Sequence, residues 1–133
     1  MPVSEGTGLG TPLQSAGAPV AGTSEVQTLT IGGTPTGGTF RLSFLGFTTA
    51  AITWSNVNAT LVAAIDAALE ALPTIGTGNV VTAVGTAVAG IGTITLTFGG
   101  ALGVRAQPNI TVAENLMTGT TPTVAVAETT PGR

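Results

Sequence analysis

The sequence predicts an α+β fold: a single compact β-rich domain of about six strands, with one amphipathic helix packed on the sheet and an extended N-terminal arm before it. Three observations carry this expectation. Apolar residues alternate with Thr, Ser or Arg over several short runs, which is the two-residue period of half-buried strands. One segment repeats its apolar residues at helical spacing. Residues 1–24 are rich in Gly, Pro, Ser and Thr with only scattered apolar side chains, a composition that cannot close a core of its own. The expected organisation is an arm over 1–24, a domain over 25–128 and a tail over 129–133, within a length that suits one domain.

In the arm, Val3, Leu9, Leu13 and Val20 are spaced so that single side chains could enter shallow pockets on a neighbouring subunit. Glu25–Ile31 reads as the first strand, and Thr34-Pro-Thr-Gly-Gly38 as turn chemistry. Phe40, Leu42 and Phe44 alternate with Arg41 and Ser43. Ala50, Ile52 and Trp54 resume the alternation, so 40–54 reads as a hairpin turning near Leu45-Gly46. Phe47 follows that turn and is expected to be exposed for a partner, whereas Phe40, Phe44, Trp54 and Phe98 fall at core positions.

The helix starts after an N-cap at Asn58, or alternatively Asn56. Leu61, Ile65, Leu69 and Leu72 form its apolar stripe, the intervening alanines favour it, and Pro73 ends it. Val80–Val84 is the next strand, followed by a Gly-rich loop over 85–92. Ile94, Leu96 and Phe98 then alternate with Thr93, Thr95 and Thr97 in the cleanest strand of the chain. Ile110–Val112 and Thr123–Ala127 are two shorter candidates.

Composition narrows function further. Only 7% of residues are charged, where about 25% is ordinary. A lone monomer with so few charges is poorly protected against association, which favours a surface occupied by partners. The three basic residues, Arg41, Arg105 and Arg133, are dispersed, and the net charge is −3; no nucleic-acid partner is expected. No apolar run approaches the roughly 20 residues that cross a bilayer, so no membrane partner is expected either. The first residues resemble no signal peptide, and synthesis in a host cytoplasm is expected.

No catalytic set is expected. The chain lacks His, Cys and Lys, which removes the imidazole base, the thiolate and Schiff-base chemistry. Asp66 and Glu70 lie four apart on one helix face. They could form an acid/base pair or part of a hard-cation site, but a solvated outer face is the simpler expectation. The other carboxylates, Glu5, Glu25, Glu114 and Glu128, form no calcium-loop pattern. Gly6-Thr-Gly-Leu-Gly10 and Gly90-Ile-Gly92 lack the full spacing and context of phosphate loops. No cofactor, metal or catalytic residue is therefore expected, and the chain is read as non-enzymatic.

Several segments together resemble a known family. These are Glu25-Val-Gln-Thr-Leu-Thr-Ile31, Gly33-Thr-Pro-Thr-Gly-Gly-Thr-Phe40, Ala67-Ala-Leu-Glu-Ala-Leu72, Ile75-Gly-Thr-Gly-Asn-Val80, Thr95-Leu-Thr-Phe98, Leu116-Met-Thr-Gly119 and Val124-Ala-Val126. In that order they resemble a small β-rich domain of virion structural proteins from phages that infect actinobacteria. The resemblance spans 25–128 and leaves the arm outside it. It implies a virion building block, most like a capsid decoration or cement protein on the outer surface of the head. The partners then expected are the major capsid protein and other copies of the chain, most simply as a homotrimer at local three-fold positions. A tail-tube or fibre-associated domain is the alternative within that class, and a carbohydrate-binding surface module the alternative outside it.

Overall fold

In the computed structural model, which describes residues 22–133, the elements are β1 (Val26–Phe44), β2 (Phe47–Thr48), β3 (Ile52–Thr53), α1 (Asn58–Glu70), β4 (Val80–Val84), β5 (Gly92–Phe98) and β6 (Thr111–Thr130), with one short 3-10 turn at Gly100–Leu102. All strand pairings are antiparallel. β6 runs along one side of β1. The other side of β1 is shared by β5, with β4 beyond it, and by β3 and β2. The α+β expectation is correct: among the described residues six strands form one sheet and one α-helix packs on it.

β1 is bent sharply. Nineteen residues of straight strand would span about 60 Å, yet its two ends meet. Thr111 pairs with Ser43 near one end. The amide of the adjoining Ile110 donates to Oε1 of Gln27, near the other end, at 2.8 Å. The Phe44 ring lies 5.4 Å from that of Phe98, whose N–H donates to the carbonyl of Glu25 at 3.0 Å. The β1–β6 ribbon therefore folds over, and its inner face closes on itself.

The corner coincides with the turn-like residues. Register shifts fall at Gly32/Thr34 and Pro35/Gly37, and Gly33, Gly38 and, on β6, Gly119 have φ of 72°, 86° and 125°. A side chain at any of the three would run into the partner strand's backbone, so only glycine fits the corner. The expected turn at 34–38 is thus a bulged corner within one strand. By the same device, the two short strands expected at 110–112 and 123–127 are parts of one twenty-residue β6. The expected tail at 129–133 is structural as well: β6 continues to Thr130, and Arg133 and Thr23 exchange backbone hydrogen bonds of 2.8 and 3.2 Å. The last residues expected in the arm, Thr23 and Ser24, are held in the same way; the Ser24 hydroxyl accepts from the Val104 amide at 3.2 Å.

The core lies between the folded ribbon and α1. Leu61, Ile65 and Leu69 of the helix and Leu72 just after it are buried, as the stripe predicts, against Leu29, Phe40, Leu42, Ile94, Leu96 and Phe98. The N-cap is Val57, which makes no side-chain cap. Asn58 is instead the first helical residue, and its amide reaches the 85–92 loop, donating to Ala87 O and accepting from Gly90 N, both at 2.8 Å. Trp54 Nε1 donates to Gly90 O at 3.0 Å. Gly90 has φ 78° and sits against Trp54 and Ser55; this glycine-rich loop holds the helix start and the tryptophan in place.

Side chains occupy backbone groups along two of the sheet's edges, beside β4 and along β6. Beside β4, Asp66 accepts from the Thr82 amide at 3.1 Å and Glu70 from the Gly78 amide at 2.7 Å. Along β6, Asn115 accepts from Met117 N and donates to Pro122 O, both at 3.1 Å, and Asn109 donates to Val126 O at 3.0 Å. A chain without lysine thus blocks its edges with carboxylates and amides. Asp66 and Glu70 are not the freely solvated face expected above. Asp66→Ala should lower stability by about 1–2 kcal/mol, the scale of a charge-assisted hydrogen bond at a half-buried site. Urea denaturation measures it; a loss within the scatter of ordinary surface substitutions would mean the contact contributes nothing.

Candidate functional site

Of the residues expected to meet a partner, Val3, Leu9, Leu13 and Val20 lie outside the described residues. Phe47 lies within them, at the turn expected near Leu45-Gly46. Its side chain is 47% exposed, and Leu45 beside it is 58% exposed. Leu45 and Gly46 have φ of 51° and 84°, the two left-handed residues of a tight hairpin. Asn, Asp or Gly normally takes the first of these positions, because a Cβ there crowds the backbone. A leucine in that conformation, pointing at solvent, is unfavourable on both counts for the isolated domain. The Thr74 hydroxyl fixes the base of the turn by donating to Phe44 O at 3.2 Å.

A second surface is broader. The cross-strand register lines up three rows on the face of the sheet turned away from α1. Val81, Thr97, Val26 and Thr130 form one row; Ala83, Thr95, Thr28 and Ala127 the next; Thr93, Thr30 and Ala125 the third, with Gly85 hydrogen-bonded beside Thr93. Every one of these residues is exposed or half-buried, and none is ionisable. The Thr28 and Thr129 hydroxyls are hydrogen-bonded across the ribbon. The ion pair between Arg41 Nε and Glu114 Oε1, 3.1 Å, belongs to the other half of the ribbon.

The carboxylates build structure. Between α1 and β4 an open groove of about 460 Å³ is lined by Ala59, Val62, Ala63, Asp66, Glu70 and Val81 among others. Its two acids are engaged with backbone amides, as described above. Glu25, which composition and spacing did not single out, is fully buried. It accepts from Gln27 Nε2 at 2.5 Å, from the Gln107 amide at 2.9 Å and from the Gly132 amide at 3.4 Å. Gln27 in turn donates to Pro108 O at 2.9 Å. Burial pushes the Glu25 carboxyl up, but the amide of Gln107, the Gln27 side chain, the amide of Gly132 and the nearby Glu128 outweigh it and leave the pKa lowered. Glu128 is raised, first because it shares a hydrogen bond with Glu25, then by burial and by repulsion from that carboxylate. One sequence signal was available for Glu25: an acidic residue directly before a strand and two residues from a glutamine. That signal is too common to be informative.

Among the described residues no group of three or more His, Cys, Asp or Glu is placed to hold a metal ion, and no helix is long and apolar enough to cross a membrane. No known family matches the chain, and no curated protein compared with it is similar.

Proposed function

We propose that this chain is a structural virion protein: a capsid decoration or cement protein that binds the outside of a phage head and stabilises contacts between major capsid subunits. The observation that supports this reading best is the hairpin tip. An exposed Leu45 in a left-handed conformation next to an exposed Phe47 is costly for the free domain and useful only where a partner covers it. The engaged state of Asp66, Glu70 and Glu25 favours a non-enzymatic role, since each carboxylate already accepts backbone amides. Binding to capsid subunits adds buried area that stabilises the shell by linkage. A homotrimer at local three-fold positions is the simplest closed arrangement for such copies.

The test uses undecorated heads and the purified chain, with occupancy read by cryo-EM and by co-sedimentation. Wild-type protein should bind at hundreds of copies per particle. Leu45→Asn should raise stability by about 1 kcal/mol, because Asn tolerates the left-handed turn, while weakening occupancy at least tenfold, roughly the loss of one anchoring side chain. Binding confined to tails, or full occupancy by Leu45→Asn, would overturn the reading of the tip as the anchor on the head. The arm is tested separately by removing residues 1–21, which leaves the Thr23–Arg133 pairing intact.

A further inference from the structure

We infer that the groove between α1 and β4 binds one arginine side chain of a protein partner, with the guanidinium held between Asp66 and Glu70 and the stem along the helix. The inference does not depend on the virion reading.

Three observations meet in this groove. Its walls are apolar: Ala59, Val62 and Ala63 of α1 face Val80 and Val81 of β4 across about 460 Å³ of open space. Its two carboxylates are half used. Asp66 accepts the Thr82 amide through Oδ1 at 3.1 Å, and Glu70 accepts the Gly78 amide through Oε2 at 2.7 Å. Among the described residues, the second oxygen of each acid has no donor, and no arginine is paired with either acid. The amide bonds already hold both side chains, so a ligand need not order them. Thr82 supplies the third observation. Its Oγ1 is buried, belongs to a residue lining the same groove, and is the one buried side-chain oxygen or nitrogen without a partner among the described residues. Such a group is unfavourable until something pairs with it.

These groups select the ligand. Two free carboxylate oxygens and a hydroxyl need N–H donors that carry positive charge, and the Ala and Val walls need a methylene stem. Residues four apart on a helix stand about 5–6 Å apart at Cβ, a gap that a planar guanidinium bridges with donors on both sides. A hard metal ion does not fit, because it needs about six oxygens and these walls offer none. The described part of the chain does not fill the site itself: Arg41 pairs with Glu114, and neither Arg105 nor Arg133 bonds to these acids. The net charge of −3 draws a cationic segment from outside. Openness points to a side chain rather than a free molecule. Small-molecule sites enclose most of their ligand, whereas an open groove leaves one end outside, where a partner's main chain would be.

The test titrates the full chain with the peptide acetyl-Gly-Arg-Gly-amide and follows the Thr82 and Gly78 amide signals by NMR. Both should shift and saturate with a midpoint of about 1–10 mM, as expected for one half-exposed charged contact. The matching citrulline peptide has the same shape without the charge and should bind at least tenfold more weakly. Asp66→Asn and Glu70→Gln each keep an oxygen for the backbone amide, and should weaken the arginine peptide to the same degree. Thr82→Val should weaken it several-fold. If Asp66→Asn fails to fold, the other two variants and the citrulline peptide decide. No shift, equal binding of the citrulline peptide, or unchanged binding in Glu70→Gln would each overturn the proposal. So would butylguanidinium binding at least a hundredfold more tightly than the peptide, because the site would then serve a free cation. Shifts of the same amides on concentrating the chain alone, abolished by Arg105→Gln or Arg133→Gln, would assign the groove to a second copy and equally overturn it.

Discussion

Glu25→Ala is expected to destabilise the domain by about 3–5 kcal/mol, since each buried donor left without an acceptor costs roughly 1–3 kcal/mol. The carboxylate ties together three parts of the chain that are remote in sequence: Gln27 at the start of β1, Gln107 in the crossing segment before β6, and Gly132 after β6. Removing it orphans the Gln107 amide and one Gln27 donor inside the fold; the longer bond to Gly132 adds less. Equilibrium denaturation of the variant measures the loss, and a value under about 1 kcal/mol would show that water replaces the carboxylate easily.

The same site gives stability an unusual pH dependence. The Glu25 pKa is lowered in the fold, so its contribution is present above the ordinary carboxylate range and is lost as pH falls through the lowered value. Glu128 runs the other way. Its pKa is raised, so stability grows as pH falls through that raised value and Glu128 takes up the proton it shares with Glu25. Mild acidification should therefore stabilise the domain slightly before stronger acid destabilises it. Glu128→Gln should remove the first rise and leave the acid loss, as read from urea midpoints across pH.

Phe98→Ala should cost about 3–5 kcal/mol, the usual range for truncating a buried aromatic. Its ring is fully buried and lies 5.4 Å from that of Phe44, at an interplanar angle of 32°. Those two residues come from opposite ends of the bent ribbon: Phe44 closes β1, and Phe98 closes β5 beside the start of β1. The loss should therefore exceed that of an equal truncation far from the closure, and amide exchange should accelerate at both ends of β1 together. A loss confined to β5 would mean that the ribbon stays folded without this contact.

The helix was legible because Leu61, Ile65, Leu69 and Leu72 repeat at helical spacing and Pro73 stops the pattern. Those signals are local, so tertiary context had little to change beyond the N-terminus. There the loop at 87–90 took Asn58 away from capping. The strands were legible as alternating runs, with Thr93–Phe98 the clearest, and the turn at Leu45-Gly46 was readable from the glycine and the reversal of the pattern. The breaks between runs were less informative. Gly33, Gly38 and Gly119 carry the same composition whether they end a strand or bend one, and only the partner strand decides between the two.

Of the candidate surfaces, the sequence placed Phe47 at a tip, because it directly follows the glycine of the turn at Leu45-Gly46. The conformation of Leu45 was not readable, since φ depends on the hairpin's register. The uncharged face was half-visible in Thr93, Thr95 and Thr97. Its other rows depend on which strands lie beside β5, a matter of pairing between residues far apart in the chain. What Glu25, Asp66 and Glu70 bind was unreadable for the same reason: their partners include backbone amides, which every residue except proline carries and no sequence motif marks. The sequence by itself determined the element types, the apolar stripe and the lack of charge. The tertiary structure alone decided the bend of β1, the plugged edges and the burial of Glu25, because each requires groups distant in sequence to meet, and local periodicity holds no record of such meetings.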